Sequence, residues 1–109
     1  MSRFDENLKA LKQPHQRLAA LEGYADGYEP VFVIENRPGS QGALAVYYEV
    51  AVKHGGLTPK AAEDALALFA EHTEDARANP GAHPNIDRLF AIVDQGLYYS
   101  IKAIPKAED

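Results

Sequence analysis

Apolar positions change rhythm once along this chain. Ahead of Glu35 they fall in one brief helical stretch and then at the spacing of strands; beyond Gly42 they keep helical spacing almost to the C-terminus. In Phe4–Lys12, the residues Phe4, Leu8 and Leu11 share one helical face, with Asp5 and Glu6 early and Lys9 and Lys12 late, an order that suits the helix dipole. Pro14 ends this helix, which is so short that it must dock on the body or fray.

Arg17–Tyr24 and Tyr28–Glu35 flank Asp26-Gly27, a strong hairpin signal because a type I′ turn needs positive φ at both central residues. The run Val31-Phe32-Val33-Ile34 is apolar on both faces, which predicts a central strand covered on both sides. Pro30 constrains the register. In the tightest hairpin it would face Gly23 at a hydrogen-bonded pair, where it has no N–H to give. Either the ladder starts at Val31 or the connection is longer than two residues, and the first is the simpler expectation.

After the hinge 35–42, Leu44, Tyr47, Tyr48 and Ala51 mark a buried helical face, and Val46 and Val50 widen it enough to predict cover on more than one side. Ser40 is placed to cap this helix and Gly55-Gly56 to stop it. The next helix opens with Thr58 as cap and Pro59 in its first turn. Ala62, Ala65, Leu66, Phe69, Thr73 and Ala76 form one stripe along it as far as Asn79-Pro80-Gly81, with a mostly acidic opposite face. A third post-hinge helix follows Ala82-His83-Pro84, with Ile86, Leu89, Phe90 and Val93 inward, Asn85 as its cap and Gly96 as its stop. Leu97–Ile104 then alternates, with Leu97, Tyr99, Ile101 and Ala103 on one face, and Pro105 ends it.

These elements predict a single α+β domain over 1–109, in the order α-β-β-α-α-α-β. A small three-stranded antiparallel sheet, the hairpin plus the C-terminal strand, is packed by three to four helices. The last strand must return to the hairpin, since a lone strand cannot satisfy its backbone. Residues 1–13 are expected to dock loosely and the polar tail 106–109 to fray.

Composition narrows the function. Apolar residues make up 46% of the chain and charged residues 25%, so a packed core rather than disorder is expected. The absence of cysteine removes disulfides, thiolate catalysis and every cysteine-based metal site, and for so small a domain fits a reducing cytoplasm. The first residues carry acids where a secretion signal needs a basic and then apolar run. The longest uncharged apolar stretches, 43–48 and 65–70, are far short of the ~20 residues of a spanning helix. A net charge of −5 with scattered basic residues argues against nucleic acid, and no membrane association is expected.

Two clusters could carry chemistry. At the hinge, Arg37 supplies charge, Gly39 and Gly42 let backbone approach closely, Ser40 and Gln41 offer polar groups, and the helix behind has free N–H groups. There is no Gly-Lys-Ser/Thr, so this is no P-loop, and Pro, Gly and Ser are what any strand-to-helix turn would use. The second cluster is His83-Pro84-Asn85-Ile86-Asp87, where an imidazole and a carboxylate four residues apart could act as acid and base or as two metal ligands. Two ligands are too few for a metal, and Asp87 also suits a helix first turn. His72 with Glu71 and Asp75 reads as a solvated helix face, and His15 and His54 are isolated. No residue is assigned a catalytic role, and no metal or cofactor is expected. The six tyrosines suit core packing or an interface; base stacking would need the positive potential that is missing.

Asn36-x-Pro38-Gly39-x-x-Gly42-x-Leu44-Ala45-Val46-Tyr47, then Phe69-Ala70-Glu71-His72, then Asn79-Pro80-Gly81-x-His83-Pro84-Asn85-Ile86-Asp87-x-Leu89-Phe90 resembles an uncharacterised family of small bacterial proteins, a domain of unknown function. The resemblance implies a bacterial cytoplasmic protein and brings no activity or ligand with it. The first functional expectation is a non-enzymatic interaction domain working through a protein partner or as a homodimer. The alternative is a domain that binds a small molecule or anion, with or without catalysis, using Arg37, Gly39, Ser40, Gln41 and Gly42 together with His83, Asn85 and Asp87. The two separate on whether the Pro-Gly loops line one concave pocket.

Overall fold

The computed structural model describes residues 2–107; Glu108 and Asp109, the end of the tail expected to fray, lie outside the described residues. The elements are α1 (Arg3–Ala10), a single 3-10 turn (His15–Arg17), β1 (Leu18–Tyr24), β2 (Phe32–Glu35), α2 (Gln41–His54), α3 (Pro59–Phe69), α4 (Glu71–Ala78), α5 (Pro84–Gln95) and β3 (Ser100–Pro105). The class is α+β, with five helices among the described residues and an antiparallel sheet in the order β2-β1-β3. The C-terminal strand does return to the hairpin, pairing Leu21 with Ala103 and Gly23 with Ile101.

Three expectations need correction. First, the hairpin connection is long. Gly23 pairs with Phe32 and Leu21 with Ile34, so residues 25–31 form the link and Pro30 stays out of the ladder, although the Val31 N–H still reaches Gly23 O at 2.7 Å. Moving the register by two residues solves the missing-donor problem and keeps Phe32 and Ile34 facing inward.

Second, β2 is an edge strand with one covered face. Val31 and Val33 are 57% and 49% exposed, while Phe32 and Ile34 are buried. The inner arm of the hairpin, β1, takes the central place because it alone pairs on both sides. On the outer face Val33, Glu22 and Lys102 stand in one cross-strand row, which is mixed rather than apolar.

Third, the long helix is two helices. At Ala70 the backbone turns to φ 53° and ψ −118°, which ends α3 and starts α4. No Gly or Pro marks this break. The carbonyls it would orphan find other donors: Thr73 Oγ1 donates to Leu66 O at 2.6 Å and Asn7 Nδ2 to Leu68 O at 2.9 Å. The cost of the conformation, about 1–3 kcal/mol, is thus offset by neighbours that fix it.

Three helix boundaries match the expectation: Thr58 Oγ1 accepts from Ala61 N at 3.0 Å at the start of α3, and α2 and α5 close at Gly55 and Gly96. The core is formed by Leu21 and Ile34 of the sheet, Leu44, Val46, Tyr47 and Val50 of α2, Leu57, and Leu89 and Ile92 of α5, all 2% exposed or less. So many buried positions on α2 agree with cover on more than one side: it contacts the sheet, α1 and α3.

Phe32 joins the layers. Its ring meets Tyr47 and Tyr99 edge-on, at 5.9 and 5.4 Å, and the Arg88 guanidinium lies over it at 4.0 Å. The ring also crosses β1 so closely that a Cβ on Gly23 would stand 2.1 Å from it, so only glycine fits there.

Helix α1 is held by several contacts. Phe4 stacks on Phe69 at 5.5 Å, Phe4 N donates to Glu71 Oε1 at 3.0 Å, and beyond the helix Lys12 N and Gln13 N both donate to Glu49 Oε1 at 3.0 Å.

Candidate functional site

The chain leaves β2 through a loop pinned to β1: Asn36 N donates to Ala19 O at 2.9 Å and Asn36 Nδ2 to Leu18 O at 2.7 Å. Ser40 does not cap α2 as expected. Its hydroxyl turns back and donates to Glu35 O at 2.5 Å, closing the loop on itself. The first-turn N–H groups of Gly42 and Ala43 therefore have no protein acceptor among the described residues. Helix α1 also packs closely on Gly42, where a Cβ would lie 2.8 Å from Phe4 Cζ.

The start of α5 is built similarly. His83, not Asn85, is the N-cap residue, with Pro84 in the first turn. Asn85 instead serves the core. Its carbonyl accepts the Tyr47 hydroxyl at 2.5 Å and its Oδ1 accepts Arg88 Nη1 at 2.9 Å, while the same Arg88 nitrogen donates to Tyr47 Oη at 3.1 Å. Burial pushes the Tyr47 phenol up to about 12, against the pull of the nearby Arg88 charge. The Asn85 N–H has no acceptor among the described residues. Asp87 lies in the first turn as expected and accepts from Gly81 N at 2.9 Å, holding the Pro80-Gly81 loop.

These two helix starts open on one cleft of about 510 Å³, inside the ~300–1,000 Å³ range of small-ligand sites. Gly39, Gln41 and Gly42 line it from the hinge, His83 and Asn85 from α5, Phe4 and Leu8 from α1, and Phe69 and His72 from the α3–α4 junction. Five of the eight residues singled out from the sequence thus meet in one concavity. Arg37, Ser40 and Asp87 are outside its lining: Arg37 is exposed and paired with Glu35 at 2.8 Å, and the other two brace their own loops.

Sequence reasoning missed the apolar wall and the partner of His83. Phe4 crosses His72 edge-on at 4.7 Å, and the His72 and His83 rings are 5.9 Å apart. Asp75 does not pair with His72. Its Oδ2 lies 2.6 Å from His83 Nε2, and Asn79 Nδ2 adds a bond at 3.0 Å to Oδ1. The His83 hydrogen bond, with Asn79 assisting, holds the Asp75 carboxyl below its usual range. The break at Ala70 sets the direction of α4, and so belongs to what makes this pair.

A second hollow of about 480 Å³ lies between α1, α2 and α3. Its polar groups already serve each other: Glu49 accepts from Lys12 N and Gln13 N, and Asp64 is bound by His54 at 2.6 Å and Lys53 at 3.2 Å. The His54 bond, with help from Lys53, lowers the Asp64 carboxyl. Among the described residues no cluster of three or more His, Cys, Asp or Glu is arranged to hold a metal ion, and no helix is long and apolar enough to cross a membrane.

Fold and cleft together define a small α+β protein with a cleft whose polar rim comes from two helix starts and two imidazoles. The chain belongs to the family described as an uncharacterized protein conserved in bacteria (DUF2322), which matches it over residues 4–103. That span takes in both Pro-Gly loops and all of α1 from Phe4 onward. No curated protein and no solved structure matches the chain.

Proposed function

We propose that this protein binds a small molecule with an anionic or strongly hydrogen-bond-accepting head and an apolar body, in the cleft between the starts of α2 and α5. The observation that carries the reading is the convergence of the two Pro-Gly loops on one concave wall, where the N–H groups of Gly42, Ala43 and Asn85 have no acceptor among the described residues. Such groups suit an acceptor oxygen, and the Phe4 and Phe69 side suits hydrocarbon. The absence of cysteine supports a cytoplasmic setting. Amide NMR with phosphate, acetate and butyrate tests the reading. Saturable shifts centred on Gly42, Ala43 and Asn85, larger for butyrate than for acetate, are expected. Shifts confined to other residues, or none at millimolar ligand, would discard it.

A second reading, self-association through the sheet edge, is favoured by the exposed Val33 on β2, with exposed Val31 and Tyr28 in the connection ahead of it. An unpaired edge strand with apolar side chains is a ready template for another strand. Sedimentation velocity over a hundredfold concentration range decides it: a dimer that V33K abolishes supports the edge, and a monomer throughout removes it.

A further inference from the structure

The imidazole of His83 is held at both ends. Its backbone is fixed as the N-cap of α5, whose first-turn Ile86 and Asp87 N–H groups donate to His83 O, and its ring is clamped through Nε2 by Asp75 of α4 at 2.6 Å. The other ring nitrogen, Nδ1, has no protein partner among the described residues, and His83 lines the cleft. A carboxylate on one imidazole nitrogen fixes the tautomer and leaves the other as a lone pair, the arrangement of an oriented general base. Among the described residues the cleft lining offers no hydroxyl, thiol or amine side chain to act as nucleophile, so water is the nucleophile that such a base would serve. The unbonded N–H groups of Gly42, Ala43 and Asn85 on the same cleft are of the kind that stabilise an oxyanion.

The geometry points to His83, braced by Asp75, as the general base of a hydrolase that cleaves a small carboxylic ester or thioester in this cleft. This deepens the ligand-binding reading and rests on it. Nδ1 takes a proton as water oxygen bonds to the acyl carbon, and the carbonyl electron pair moves onto oxygen. When the tetrahedral intermediate collapses, the alkoxide or thiolate leaves and takes that proton from the imidazolium. Ester and water become acid and alcohol or thiol, with no other reactant. Phe4 and Phe69 form the side against which a short acyl chain packs.

The test is hydrolysis of p-nitrophenyl butyrate by the full chain, with butyrate titrated separately by amide NMR. Expected are many turnovers, a rate above that of equimolar imidazole and a normal solvent deuterium isotope effect. H83Q should lose on the order of 10²-fold in kcat. D75N should lose about tenfold in kcat with KM unchanged, a split that general loosening of the fold would not give. H54Q, whose imidazole lies outside this cleft, should keep the full rate. A rate no faster than imidazole, full activity in H83Q, or a single burst from self-acylation would each overturn the hydrolase. If butyrate still shifts Gly42 and Ala43 in that event, the ligand site stands without the chemistry; if it does not, both fall.

Discussion

Gly23 and Tyr47 show how single side chains decide the packing beneath the cleft. A methyl group on Gly23 would enter the Phe32 ring, and that ring cannot retreat, being held between Tyr47, Tyr99 and Arg88. G23A should therefore destabilise by about 1–3 kcal/mol or more, read as a fall in the urea midpoint. Y47F removes the hydroxyl that Asn85 O accepts and leaves Arg88 one acceptor short, for about 1–2 kcal/mol. The same variant has an alkaline signature. The folded phenol titrates near 12 rather than at the ordinary tyrosine value, so the unfolded chain loses its proton first and stability falls as pH rises above about 10. Denaturation of wild type and Y47F between pH 9 and 11 should show that part of the fall only in wild type.

Among the elements, the α3–α4 junction is where sequence and structure part most instructively. Helix caps at Thr58, Gly55 and Gly96 were legible because their chemistry is local: a hydroxyl three residues ahead of an N–H, or a glycine after the last apolar turn. The break at Ala70 was not, because its apolar stripe continues in phase from Phe69 to Thr73 and its compensating donors come partly from Asn7, over sixty residues away in the chain. The same holds for the cleft. Its two loops could be named from their Pro-Gly and helix-start residues, but the Asp75 partner of His83 depends on how α4 is turned. The exposed face of β2 was misread because four successive apolar residues say nothing about which arm of a hairpin takes the central place. A70G tests the strain at the junction. Glycine reaches a positive φ without penalty, so the variant should gain up to about 1 kcal/mol, visible as a higher Tm. N7A, which strips the donor from Leu68 O, should lose about 1 kcal/mol.

At the scale of the whole molecule, long-range ties rest on carboxylates. Asp64 binds His54 and Lys53 across α2 and α3, Glu71 accepts from Phe4 N of α1, and Asp75 binds His83 across α4 and α5. All three are held below the usual carboxylate range. The His54 bond acts first at Asp64, the His83 bond at Asp75, and at Glu71 its own backbone N–H with the donors of α1. Groups with lowered folded values contribute stability that is fully present above the ordinary range and is lost as pH falls through them. The urea midpoint should thus drop below about pH 4, and the double variant D64N/D75N should flatten that drop.

The placement of the imidazoles has a practical consequence. The chain has four histidines: His72 and His83 border the cleft, His54 sits with Asp64 outside it, and His15 lies in the 3-10 turn ahead of β1. Their ring-proton resonances make a small reporter set with its own reference channels. A compound seated in the cleft should move two of the four signals and leave two in place, whereas a change of pH or a general perturbation of the fold should move others as well. A ligand screen on this protein therefore needs neither an attached dye nor a known reaction.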